Sequence, residues 1–293
     1  MTTAAAPLAA DRWQSILFVP VLRDRYIEKA CTSAAHAVQL DLEDSVPAAD
    51  KDKARAALGA AVRTLRSAGK PVSVRVNQPM ELAAADIAAA VEAGVDVLML
   101  PKVLGPAHIQ LVDELAGRLE ARTGAAPGAT RFIAALETPR AYLQAEAIAL
   151  SSPRLLGMML GGEDFAKECG CEPEEGAMRG FKLNVLAAAR AAGIRPMGAL
   201  GSIADFRDLD AYESMLRRSR ACGFEGITCI HPAQAERINK VYAPDEDTLA
   251  WARKVVEMSE RASAAGVGAF ELHGRMIDAP IVARARRMLD SLP

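Results

Sequence analysis

The chain has 293 residues, 51% of them apolar and 25% charged, with a net charge of -2. That composition excludes a disordered polymer, and without excess positive charge no nucleic-acid partner is expected. Cys31, Cys169, Cys171, Cys222 and Cys229 form no framework of a small secreted protein, and Cys169-x-Cys171 has no second pair to make a zinc site.

Residues 1–12 read as a loose, alanine-rich tail with neither the basic start of a signal peptide nor a membrane span, so a cytoplasmic protein is expected. Strand and helix signals then alternate. A strand over 16–19 precedes a helix over 23–33; a strand ending at Asp41 precedes a helix over 47–68; strand 72–76 precedes helix 82–93, and strand 95–100 precedes helix 107–122. Strand 132–136 leads to helix 141–150, strand 155–160 to a longer loop and helix 175–192, strand 195–200 to helix 207–222, and strand 226–230 to helix 233–241. Unbroken apolar runs of this kind suit strands buried on both faces of a parallel sheet. Eight units predict a (β/α)8 TIM barrel over residues 13–244. Beyond it, helices over 246–265 and 279–289 flank a turn, an extended piece and the charged stretch 272–280, which reads as a C-terminal helical lid or oligomerisation extension over 245–293. No dinucleotide fingerprint or phosphate-binding loop of the GxxxxGK type is present, which argues against a nucleotide-dependent enzyme.

Polar motifs end the strands, so a barrel would gather them at one rim. Glu137 and Asp164 close successive strands, and two carboxylates with water and a chelating substrate suit Mg2+, which seldom uses an all-protein cage. No histidine is near either in sequence, which disfavours zinc. Helix capping by Glu137 and an exposed loop around Asp164 are the alternatives. Arg75 needs counter-ions, for which Asp41, Glu43 and Asp44 are candidates; it is either a structural ion pair or a clamp for a carboxylate or enolate. Lys102 could form a Schiff base, though a metal already supplies an electron sink. His231 could cap a helix or touch a ligand, and His36, His108 and His273 suggest no partner.

Phe18-Val19-Pro20, Asp41-Leu42-Glu43-Asp44-Ser45-Val46-Pro47 with Lys53 and Arg55, Val74-Arg75-Val76-Asn77, Leu100-Pro101-Lys102-Val103, Leu136-Glu137-Thr138-Pro139, Gly162-Glu163-Asp164, Gly223-Phe224-Glu225-Gly226, Ile230-His231-Pro232-Ala233-Gln234 and Met276-Ile277-Asp278 follow one another in the chain. In that order they resemble the citrate lyase beta-subunit-like branch of the HpcH/HpaI aldolase superfamily, over about residues 13–288. The resemblance implies a Mg2+-dependent carbon–carbon lyase that cleaves, or forms by Claisen-type condensation, a small 3-hydroxyacyl-CoA thioester such as citryl-, malyl- or citramalyl-CoA. It implies metal ligands at Glu137 and Asp164, with Glu137 also facing the 2-oxo acid substrate, and an enolate-stabilising arginine at Arg75. Glu43 and Asp44 would hold metal waters and Arg75. Asp278, from a neighbouring subunit of a homotrimer or hexamer, would be the acid or base. Departures from the pattern fall at Gln14, Val21, Thr228 and Leu200-Gly201-Ser202, and they leave two alternatives open: a CoA-independent class II pyruvate aldolase, or a non-catalytic citrate-lyase-like subunit.

Overall fold

A computed structural model describes residues 9–204, 206–243, 245–264 and 266–290. The first eight residues of the expected tail lie outside that set, and Ala10–Arg12 form one 3-10 turn. The chain divides into two compact units, Met1–Val241 and Tyr242–Pro293.

The first unit alternates strands and helices in chain order. Its first half runs β1 (Ser15–Pro20), α1 (Asp24–Cys31), β2 (Ala37–Asp41), α2 (Lys51–Ser67), β3 (Val72–Arg75), α3 (Met80–Glu92), β4 (Val97–Leu100) and α4 (Pro106–Thr123). The second half runs β5 (Arg131–Leu136), α5 (Pro139–Tyr142), α6 (Ala145–Ala149), β6 (Leu155–Leu160), α7 (Gly162–Cys169), α8 (Glu175–Ala191), β7 (Arg195–Pro196), α9 (Leu209–Cys222), β8 (Ile227–Cys229) and α10 (Pro232–Tyr242). All eight strands lie parallel in one sheet, ordered β7-β6-β5-β4-β3-β2-β1-β8. The two edges meet: Met197 bridges Gly226, Glu225 N–H donates to Pro196 O at 3.0 Å, and Gly198 N–H donates to Gly226 O at 2.8 Å. Gly226 permits this approach, because a Cβ there would stand 2.8 Å from Trp13 O. Trp13, Ile16, Val97, Ile133, Leu156 and Met197 pack inside the curl as a buried plug. Burying such side chains stabilises the fold by about 1.5–3 kcal/mol each.

Three elements differ from expectation. Strand seven is two residues long, because Pro196 has no N–H to donate and Gly198, at φ 108°, leaves the extended region. The helix expected over 141–150 is broken between α5 and α6 at Leu143 and Gln144. The loop expected after strand six is largely helix α7. Glu163 and Asp164 stand in its first turn, where negative charge suits the helix dipole, and Gly170 ends it in the left-handed conformation.

The second unit contains α11 (Glu246–Ala264), strands β9 (Phe270–Leu272) and β10 (Arg275–Ile277), and α12 (Ala279–Asp290). The strands make an antiparallel hairpin turned by His273 and Gly274 at φ 52° and 74°, the geometry of a two-residue primed turn. Ala252, Val255, Leu272, Ile277, Val282 and Ala285 form its own core.

Candidate active site

Parallel strands end at one rim, and their register puts the polar termini side by side. Asp41 closes β2 and pairs with Arg75, which closes β3. The guanidinium donates from Nε to Asp41 Oδ1 at 2.7 Å and from Nη2 to Asp41 Oδ2 at 2.8 Å, a planar two-point pairing that fixes its orientation. Its Nη1 reaches Asp44 Oδ2 at 3.3 Å and lies 2.9 Å from Glu43 Oε2, while the Phe18 ring sits 4.9 Å beneath the cation. The loop carrying these acids is pinned from behind. Asn77 Nδ2 and Lys51 Nζ both donate to Leu42 O, and Lys51 also donates to Glu43 O.

Lys102 follows β4 with a left-handed backbone at φ 47°, and its ammonium donates to Glu43 Oε1 at 2.6 Å and to Asp44 Oδ1 at 3.4 Å. Burial would lower its pKa, but its bond to Glu43 and the surrounding carboxylates outweigh that and raise it. An amine held protonated so firmly is a poor Schiff-base nucleophile. Glu43 is buried and its pKa is raised by desolvation, despite Arg75 and Lys102; its Oε2 accepts no properly aligned hydrogen bond.

Glu137 follows β5, and Asp164 stands in the first turn of the helix after β6. Gly161 N–H donates to Leu136 O, which carries the β5–β6 ladder to the rim, and a Cβ on Gly161 would lie 2.4 Å from Glu137 Cγ. Only a glycine there gives the glutamate room. Glu137 is 7% exposed, yet its carboxylate accepts no hydrogen bond from any described residue. Desolvation first, then the charges of Glu43 and Asp164, push its pKa up to about 8 against the opposing pull of Lys102 and Arg75.

Glu137, Asp164, Arg75 and Asp44 line one cavity of about 270 Å3, walled also by Phe18, Met99 and Met159. Thus Glu137, Asp164, Arg75 and the acidic loop are brought together. Among the described residues, no three His, Cys, Asp or Glu side chains form a metal cage. Asp278 belongs to the second unit, half-buried between β10 and α12, where its carbonyl accepts from Val282 N–H.

A larger cleft of about 960 Å3 shares Phe18, Asp44 and Arg75 with this cavity and adds Arg25, Tyr26, Lys29, Phe206 and His231. His231 both caps and lines: Nδ1 accepts from Ala233 N–H at 3.2 Å while the ring stacks on Phe206. His36 and His108 are partnered through Nδ1, by Gln14 N–H and Leu104 N–H. Of the sequence departures, Thr228, Gly201 and Ser202 line the smaller cavity, whereas Val21 is buried.

The eight-stranded parallel sheet with an acidic rim matches known proteins. The sequence model of the HpcH/HpaI aldolase/citrate lyase family fits residues 14–232, and the chain belongs to that family. It is 32% identical over 280 residues to the citrate lyase subunit beta of Haemophilus influenzae, covering 94% of this chain and 96% of that one. It is 33% identical over 302 residues to an L-malyl-CoA/beta-methylmalyl-CoA lyase of Cereibacter sphaeroides, covering 95% and 93%. Among solved structures, CitE from Mycobacterium tuberculosis in complex with magnesium, acetoacetate and coenzyme A superimposes with a TM-score of 0.74 at 30% identity, over 96% of this chain and 98% of that one.

Proposed function

We propose that this chain is a Mg2+-dependent carbon–carbon lyase that splits, or forms by Claisen-type condensation, a small 3-hydroxyacyl-CoA thioester such as citryl-, malyl- or citramalyl-CoA. The products of cleavage are acetyl-CoA or a related acyl-CoA and a 2-oxo acid. One observation carries the reading: the buried Glu137 carboxylate accepts no hydrogen bond and shares its cavity with Asp164. A carboxylate that faces a cavity with no donor is stabilised by a proton or by a cation, and Asp164 beside it favours the cation. Glu137 and Asp164 would hold Mg2+, leaving positions for water and substrate as that ion prefers. When bound, Mg2+ supplies Lewis acidity to the carbonyl of the 2-oxo acid.

The chain's own groups do the rest. Asp41 holds the Arg75 guanidinium in a fixed plane, so an enolate oxygen developing on the thioester meets a preoriented donor. Glu43 and Asp44 hold Arg75 and the waters around the metal. Asp278, supplied by a neighbouring copy in a homotrimer or hexamer, moves the proton to or from the acyl carbon, with the C-terminal unit serving as lid to a closed (β/α)8 barrel in the cytoplasm. The thioester's CoA arm fits the larger cleft, where Arg25 and Lys29 offer charge to phosphates and Tyr26 and Phe206 offer apolar surface. The departures Thr228 and Ser202 lie on the oxo-acid side of this arrangement.

Purified chain is assayed with citryl-, malyl- and citramalyl-CoA while release of 2-oxo acid is followed. Turnover of at least one thioester that stops with chelator and returns with Mg2+ is expected. Chelator-insensitive turnover would remove the metal from the reading. Cleavage of a pyruvate aldol with no thioester turned over would replace the lyase by a CoA-independent aldolase.

A further inference from the structure

Lys182, midway along α8, is 6% exposed and is not used by the chemistry above. Its ammonium donates to Leu200 O at 2.9 Å and Gly201 O at 3.3 Å, which leaves the third N–H without an acceptor among the described residues. Arg75 and Lys102 at the same rim are neutralised by Asp41, Glu43 and Asp44, but no described carboxylate lies within ion-pair distance of Lys182. Burial lowers its pKa to about 8, with Glu163 and Glu175 acting only as more distant charges.

The ammonium borders the acidic cavity. Lys182, Gly162 and Gly201 all line it, and a Cβ on Gly162 would stand 3.7 Å from Nζ. The missing side chain at Gly162 leaves the cation bare towards the ligand. Leu160, Pro173 and Ile203 line the same cavity, as does Glu163, whose carboxylate accepts from Ser202 Oγ at 3.0 Å and makes no ion pair with Lys182. A buried ammonium in such surroundings is stabilised by any anion that reaches it.

We propose that Lys182 is a specificity residue that binds the distal carboxylate of a 2-oxo dicarboxylate and so selects that class over 2-oxo monocarboxylates. The inference rests on the metal site proposed above, which would grip the 2-oxo end. A neutral distal group would leave the lysine unpaired in the cavity wall; a carboxylate pairs with it.

The test uses malate and lactate, stable 2-hydroxy acids that differ by the distal carboxylate, titrated calorimetrically into the full-length chain with Mg2+. Preference for malate by at least about tenfold is expected, the effect of one charge-assisted hydrogen bond. Lys182→Met should abolish the preference while lactate binding persists, which also reports that the cavity is still folded. Gly162→Ala, which keeps the charge but sets a methyl over it, should reduce the preference as well. Malate preference surviving in Lys182→Met, or equal weakening of both acids, would overturn the proposal and leave the metal site standing. Absence of Mg2+-dependent binding of either acid to the unaltered chain would overturn the metal site and this inference together.

Discussion

Two glutamates near opposite ends of strands β5 and β6 are both little exposed and meet opposite fates. Glu120, 1% exposed at the end where the strands begin, accepts from Arg154 Nη1 and Nη2 at 2.7 and 2.8 Å and from Gly128 and Thr130 N–H at 2.8 Å each. Desolvation pushes its pKa up, but those bonds and the Arg154 charge overcome it and bring the carboxyl down to about 2. Glu137, 7% exposed where the strands end, accepts none and rises to about 8. Low exposure alone therefore does not decide the charge: Glu137 rises first by desolvation, and at Glu120 hydrogen bonds and the Arg154 charge overcome it. Around Glu120 the pairing is complete and structural; at the other end Arg75, Lys102 and the acidic loop pair with one another while Glu137 is left uncompensated, the kind of group that marks a candidate ligand site.

The largest expected effect lies at the uncompensated end. Glu137→Ala or Asp164→Ala should lower kcat/KM by on the order of 10^3-fold, since on the proposed reading each would remove half of the protein's hold on Mg2+. Asp278→Ala should remove turnover but keep Mg2+ binding by calorimetry. Undiminished activity in either carboxylate variant would erase the contrast between the two ends.

The compensated end should show the opposite signature. Glu120→Ala strands Arg154, whose remaining carboxylate partner is Asp113 at 2.6 Å, and should cost about 3–5 kcal/mol in urea unfolding. Its kcat, measured well below the transition, should match the unaltered chain. Loss of turnover in a folded Glu120→Ala protein would show that the far end contributes to chemistry after all.

How much of this contrast was legible in sequence depends on the range of the contacts. The strands were legible because apolar runs bounded by polar motifs are local; Glu137 and Arg75 were legible because each directly follows such a run, and Asp164 because it stands four residues past one. Helix α7 was missed although its signals are local too: acidic residues in the first turn and Gly170 eight residues after Gly162. Lys182 was not legible, because its place in the cavity depends on the packing of α8 against the turn at Leu200 and Gly201. Gly161 reads as a loop glycine until the β5–β6 register sets it against the Glu137 side chain. The difference between Glu120 and Glu137 could not be read from either residue's neighbours, since Arg154 comes from 34 positions away.

The smallest effect tests the contrast through protons alone. Without a cation, Glu137 keeps its proton to about 8 in the folded chain and releases it near 4.5 once unfolded. Between those values the folded state binds more protons, so stability falls as pH rises, the reverse of Glu120, whose contribution is complete above about 4.5 and is lost as pH falls towards 2. Glu137→Gln removes the titration. In metal-free buffer its stability relative to the unaltered chain should climb from near zero at pH 5 to about 1–3 kcal/mol at pH 8, below the full 1.36 kcal/mol per pH unit because the cavity admits some water. Added Mg2+ should reverse the ranking, since an ion that binds only the folded, ionised site stabilises the unaltered chain by about 2.7 kcal/mol at a hundredfold excess over its Kd, and does so more strongly as pH rises. A stability difference that stays flat from pH 5 to 8, with or without Mg2+, would mean that Glu137 is as well satisfied as Glu120.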